Sequence, residues 1–248
     1  MESDSEPEVQ MVVWNTLEND ARVWNEAETL QAAGFAVTVH ALHAPGQTPR
    51  FERSRSGIRV VRHGKAEGRR LVALQQGRQP GGVTAKVRII LTRLWTHLLV
   101  LLSLVKGRSE VLHAHDVNVL PTVWLASRIR NTPMVYDAHE VSTGREGYRS
   151  RRRLVGCIEK LLMARAAATI TTTESRARFF ARAYGIARPL VLQNQPRLMH
   201  SGGGDRLRQG LGLAGSWPIV LYQGGLQPGR GLEGLIAAMC DVPDAYLV

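Results

Sequence analysis

Short continuous apolar runs alternate along this chain with segments whose apolar residues recur at helical spacing. That alternation predicts parallel strands, buried on both faces, with helices packed over them. Residues 9–14 read as a first strand. From Asp20 onward Val23, Trp24, Ala27 and Leu30 fall on one helical face, and Gly34 supplies the stop. A second strand is expected over 35–42, a short one over 58–61, and a loose loop over 67–82. After an apolar helix, 111–115 reads as a strand ending in Asp116, and Pro121 opens a helix that runs to Arg130. Residues 134–137 form the next strand. Leu154, Ile158, Leu161 and Leu162 mark the inward stripe of a further helix. Strand 168–172, a helix over 175–184 stopped by Gly185, and strand 189–192 complete one doubly wound, Rossmann-like unit.

The pattern then changes. Ser201 and three glycines read as a linker, and a new strand, loop, helix and strand follow over 219–223, 224–231, 232–239 and 245–248. The expected division is a disordered leader over 1–8, a first α/β domain over 9–200, and a linker with an incomplete second Rossmann-like domain over 201–248.

Length and composition agree with this division. The 248 residues suit one large domain and a part of another, and 44% hydrophobic content provides a core without disulfides. Cys157 and Cys240 form no metal or redox pair, and the acidic start lacks the features of a secretory signal, so a cytoplasmic location is expected. The net charge of +11 comes largely from 28 arginines spread along the chain, which argues against a nucleic-acid footprint. Only Arg145 to Arg153, with Arg149, Arg151, Arg152 and Arg153 close together, makes a dense run, which reads as a solvated helix entry. The apolar tract 89–105 is interrupted by Arg93 and His97 and is short for a bilayer span. It reads first as a core helix on the sheet, and second as a peripheral anchor on the inner face of the cell membrane, aided by Arg88, Lys106 and Arg108.

Ligands of open α/β sheets collect outside the carboxyl ends of the strands, and three such places carry chemistry. At His113-Ala114-His115-Asp116 two histidines share one strand face, a metal-site pattern that His139 or Asp116 could extend, although strand-end histidines are more often simply hydrogen-bonded. At Tyr136-Asp137-Ala138-His139-Glu140 a histidine beside acids at a strand mouth can bind or polarise a hydroxyl. In the segment Gly224-Gly225-Leu226-Gln227-Pro228-Gly229-Arg230-Gly231 the glycines allow close approach to a phosphate and Arg230 adds charge. Its spacing fits neither a nicotinamide fingerprint nor a Walker loop.

These segments, with Asn19-Asp20-Ala21-Arg22-Val23 and Leu221-Tyr222-Gln223-Gly224-Gly225, resemble in order the retaining GT-B glycosyltransferases of family four. The resemblance covers nearly the whole chain. It implies transfer of a sugar from a nucleotide-sugar donor to an acceptor hydroxyl with retention of configuration, with no metal and no separate cofactor. The acceptor would be a saccharide, a lipid-linked saccharide or a small molecule. It further implies His139 as the catalytic histidine, Asp116, Glu140 and Arg22 on the acceptor side, and Gly224, Gly225 and Arg230 at the donor diphosphate. Residues 15–20 replace the glycine pair of many members. The pair of glutamates that members carry in the second domain is not reached before Val248, so a shortened copy with an incomplete donor site is expected. The alternative is a non-catalytic domain that holds an acceptor or a membrane surface.

Overall fold

The computed structural model describes residues 6–75, 83–195, 204–226 and 230–248. The expected linker over 201–204 lies outside these residues except for Gly204, and of the expected leader only 6–8 are described. The chain divides into two units, Met1–Gln195 and Pro196–Val248.

In the larger unit β1 (Glu8–Val12) leads through a tight loop to α1 (Ala21–Ala32), then β2 (Ala36–Leu42). Asp20 caps α1 by accepting from the Val23 amide, and Gly34 sits at φ 90° just beyond its end. A short β3 (Phe51–Arg53) and β4 (Arg59–His63) follow, then α2 (Lys65–Gln75) and α3 (Val83–Lys106). Next come β5 (Val111–His115), α4 (Leu120–Arg130), β6 (Met134–Ala138), α5 (Arg152–Met163), β7 (Ala168–Thr171), α6 (Glu174–Tyr184) and β8 (Leu190–Val191).

The strands form one sheet in the order β3-β4-β2-β1-β5-β6-β7-β8, parallel throughout except for β3. The chain winds outward from β1 in both directions, which places a topological switch point between β1 and β5. Alternation along the strands sends Val9 and Met11 toward α1, where Val23, Ala27, Val37 and Val39 close one core. Val12, Leu112, Ala114 and Tyr136 point the other way into a second core with Leu104, Val123 and Phe180. Each fully buried aliphatic side chain contributes about 1.5–3 kcal/mol.

Three expectations are corrected. The loop expected from Glu67 is helical as far as Gln75. Gly68 made it read as a loop, yet a Cβ there would lie 2.0 Å from the His43 carbonyl oxygen, so the glycine is what lets α2 dock. Glu67 is wholly buried and holds Arg70 at 2.5 Å. On α5, Leu154 and Leu161 are exposed; the inward face carries Glu159, Leu162 and Met163. Glu159 is buried because three hydroxyls, from Tyr136, Ser142 and Tyr184, each donate to its carboxylate at 2.7 Å. Finally, α3 is a core helix on one side only. Thr96, Val100 and Leu104 face inward, while Leu91, Leu94 and Trp95 are about 60% exposed and Val87, Ile90, Leu98 and Leu102 are exposed beside them. By length and composition 84–106 could cross a membrane, and only 17% of its most apolar window is buried.

The smaller unit contains α7 (Arg206–Gly210), β9 (Ile219–Val220), α8 (Leu232–Ala238) and β10 (Tyr246–Leu247). β9 and β10 pair in parallel. Arg208 holds this unit together, donating to the Trp217 carbonyl at 2.7 Å and lying 5.8 Å from the centre of the Tyr246 ring.

Candidate active site

The carboxyl ends of β1, β5 and β6 meet at the switch point. The loop after β1 manages without glycine: Leu17 takes φ 67°, and the Asn15 side chain accepts from the Leu17 amide at 2.8 Å and donates to Asp20 at 2.7 Å. Trp24 donates its indole N–H to the Leu17 carbonyl at 2.8 Å. These bonds fix the start of α1, and Arg22 in its first turn is thereby aimed across the sheet ends.

Arg22 is buried, and its guanidinium forks onto Asp137 at the end of β6, with Nε at 2.6 Å from Oδ2 and Nη2 at 2.8 Å from Oδ1. Its Nη1 donates to the Leu192 carbonyl at 2.6 Å. Every nitrogen is therefore engaged inside the domain, and Arg22 acts on the site through Asp137. Burial lowers the guanidinium pKa, but the bond to Asp137 and the fields of Asp137, Glu26 and Asp20 together outweigh this and the net shift is upward. Asp137 moves the opposite way. Burial raises it, yet hydrogen bonds from His115, His139 and Arg22 hold it far below the usual carboxylate range.

His139 lies two residues beyond Asp137, with its Nε2 3.1 Å from Asp137 Oδ2 and 3.2 Å from His115 Nδ1. Its Nδ1 lies 3.8 Å from Asp116 Oδ2, and the side chain is 20% exposed. Burial lowers the imidazole pKa, while the Asp137 hydrogen bond and the field of Asp116 raise it by more. Asp116, just after β5, adopts φ 69°, an uncommon backbone state for a residue with a side chain and one that gathers at functional sites. Arg145 reaches Asp116 at 3.4 Å and also pairs closely with Glu140.

Of the residues singled out in the sequence, His139, Asp116, Glu140 and Arg22 are thus gathered at one sheet edge. Asp137, Glu26 and Arg145 join them. Glu26 was legible as a polar residue four positions from Arg22 on the face of α1 that also carries Val23 and Ala27. Arg145 opens the dense basic run, a pattern that marks its charge but not its place, because it sits in irregular backbone.

His113 and His115 point to the α1 side of β5, their rings stacked with centroids 4.3 Å apart. Glu26 Oε2 lies 3.7 Å from His113 Nε2 and 4.0 Å from His115 Nε2, while Oε1 faces Arg22 Nε at 3.2 Å. Burial raises the Glu26 pKa to about 7; the fields of His115 and Arg22 oppose this and that of Asp137 adds to it. Glu26, His113, His115 and Asp137 present ligand atoms all within 4.8 Å of one another. The two histidines are therefore grouped with Glu26 and Asp137; His139 touches His115 alone, from its other ring nitrogen, and Asp116 stays outside the group.

In the smaller unit, Tyr222 donates its hydroxyl to the Gly225 carbonyl at 3.1 Å and packs against Gly224, where a Cβ would meet the hydroxyl at 3.0 Å. Arg230 is exposed, with no ion pair among the described residues, and Gly231 at φ 75° precedes α8. Residues 227–229, part of the phosphate-loop expectation, lie outside the described ones.

A family model described as a glycosyl transferase 4-like domain matches residues 20–195. No curated protein matches the sequence. Among solved structures, the chain is similar to sucrose-phosphate synthase from Thermosynechococcus elongatus, with a TM-score of 0.76 and 16% identity over 97% of this chain and 61% of that one. It is similar to Anabaena HepE in complex with UDP-glucose, with a TM-score of 0.60 and 16% identity over 97% and 59%. It is also similar to UGT2 of Phytolacca americana complexed with UDP-2-fluoro-glucose and pterostilbene, with a TM-score of 0.55 and 11% identity over 98% and 71%. At these identities the likeness is one of fold: an α/β architecture on a parallel sheet, as in the Rossmann-like domains of GT-B glycosyltransferases. The chain spans less than two thirds of the length of the first two.

Proposed function

Because the chain belongs to the glycosyl transferase 4-like domain family, we propose that it serves transfer of a sugar from a nucleotide-sugar donor to an acceptor hydroxyl, with retention of configuration. The observation that carries this reading is His139, held by Asp137, His115 and Asp116 at the switch-point edge with part of its ring open to a ligand. A ring held on several sides presents one fixed polar edge, which suits orientation of a sugar hydroxyl beside a reacting carbon. Asp116 and Glu140, tied together by Arg145, offer carboxylates for acceptor hydroxyls. Arg22 holds Asp137 and is a positioning residue. Gly224, Gly225 and Arg230 supply the donor diphosphate contacts, where positive charge stabilises the departing group without a metal.

A nucleotide-sugar turnover assay with the anomeric configuration of the product read by NMR tests this reading. Retained configuration is the expected result; an inverted product overturns the mechanism, and absence of turnover with every nucleotide hexose on a panel of saccharide and lipid-linked acceptors overturns the activity.

The exposed apolar face of α3 favours a second reading, in which the first unit works as a binding domain on the inner face of the cell membrane. Saturable liposome binding that nucleotide sugars leave unchanged, in a chain without turnover, would select it.

A further inference from the structure

Beneath α1, three buried polar atoms lie near one another and have no hydrogen-bond partner: Oε2 of Glu26, Nε2 of His113 and Nε2 of His115, while Oε1 of Glu26 pairs with Arg22. Leaving such atoms unpaired costs about 1–3 kcal/mol each, more for a charged group, so an arrangement with three of them side by side calls for an occupant. Glu26, His113 and His115 are 8%, 5% and 0% exposed, so all three are buried.

The donor chemistry identifies that occupant. One carboxylate and two imidazoles are the ligand types of zinc and its neighbours among the divalent transition metals, whereas calcium and magnesium take oxygen donors. A zinc ion about 2.0–2.2 Å from each donor needs them roughly 3.3–3.6 Å apart. Glu26 Oε2 lies 3.7 Å and 4.0 Å from the two histidine nitrogens, so a few tenths of an ångström of closure suffices. The other nitrogen of His115, Nδ1, lies 3.4 Å from Asp137 Oδ2. Metal-bound histidines characteristically turn their second ring nitrogen to a carboxylate. The charge count agrees, since Glu26 and Asp137 place two carboxylates against the single guanidinium of Arg22.

We propose that Glu26, His113 and His115 bind one zinc ion, with Asp137 orienting His115 from outside the coordination sphere. A water completes the ligand set. The ion performs no step of sugar transfer. It locks the His115 ring, and through Nδ1 of that ring it sets the position of Asp137 and His139. The proposal stands apart from the transferase reading, and its test uses no activity measurement.

The full 248-residue chain, carrying Cys157→Ser and Cys240→Ser to remove the two exposed thiols, is purified without chelator and dialysed against metal-free buffer. Elemental analysis is expected to find about one zinc per chain, and cobalt loading is expected to give the visible d–d absorption of a low-coordinate N/O site. Glu26→Gln and His113→Asn should each lose the metal, while His40→Asn, at a remote histidine, should keep it. The proposal is overturned if the folded chain binds neither zinc nor cobalt, or if folded Glu26→Gln and His113→Asn chains hold as much zinc as the parent. Should those variants fail to fold, the parent decides alone: its melting temperature is expected to rise with added zinc and fall with chelator, and an unchanged melting temperature without a cobalt spectrum overturns the site.

Discussion

Arg22 and Asp137, 115 positions apart in sequence, form a two-pronged salt bridge with both side chains almost fully buried. One belongs to the first turn of α1 and the other to the end of β6, so a single contact ties the opening of the domain to the strand that carries His139.

Breaking that pair from one side leaves an uncompensated charge in the interior. Asp137→Asn is expected to destabilise the protein by about 3–5 kcal/mol, read as a drop of roughly 6–20 °C in melting temperature. Equal melting temperatures for wild type and Asp137→Asn would show that the clamp contributes nothing to stability.

His139→Ala removes a partly exposed ring whose backbone stays held by β6. Turnover of a nucleotide sugar should fall at least about 100-fold, with the melting temperature close to that of the parent. A folded His139→Ala chain with undiminished turnover refutes the role assigned to the ring.

Glu159 accepts from three hydroxyls and lies wholly buried between α5 and the sheet. Burial raises its pKa, and the bonds from Ser142, Tyr184 and Tyr136 hold it down again in part. Glu159→Ala orphans all three donors and should cost about 3 kcal/mol or more. Glu159→Gln, which keeps an acceptor oxygen, should cost less, and chemical denaturation of the two variants side by side reads the difference.

Acid should weaken the fold through buried histidines that are neutral in the folded chain. Burial, followed by the neighbouring His63 and Arg59, lowers the His40 pKa to about 3; burial and Arg50 lower that of His63 to about 4; burial and Arg93 lower that of His97 to about 4. All three rings titrate near pH 6.5 once unfolded, so below about 6.5 the unfolded chain binds more protons. The stability they contribute is complete above that pH and declines as pH falls toward about 4. Melting curves across this range should show the decline, with a shallower slope for His97→Gln. A flat profile from pH 7 to pH 4 would contradict the neutral assignment.

The open face of α3 gives a direct measurement. Replacing Leu94 and Trp95 by Glu should abolish co-sedimentation with anionic liposomes while leaving the melting temperature nearly unchanged, since both side chains are 60% exposed. Undiminished co-sedimentation of the double variant would remove α3 as the membrane contact.

Much of this architecture was legible from periodicity alone. β5 was read at its observed bounds, and α1 and α6 end at the glycines that the pattern marks, because a helix stop at Gly34 or Gly185 is a local matter of backbone conformation. α2 escaped because its Gly68 answers to a tertiary contact with His43, which no local signal announces. On α3 the expectation of a core helix is met on the inner side only, for a related reason. Apolar residues cover it on nearly all sides, and a pattern without a polar face does not say which side meets the sheet. In the site, His139 and Asp116 were found as strand-end residues, whereas Glu26 and Asp137 gain their meaning only when α1 is laid over β5 and β6.

The Arg22 bond to the Leu192 carbonyl lies three residues before the larger unit ends at Gln195. The same guanidinium that clamps Asp137 therefore also moors the exit of the chain. Mechanically, the way out of the unit and its reactive edge share one anchor.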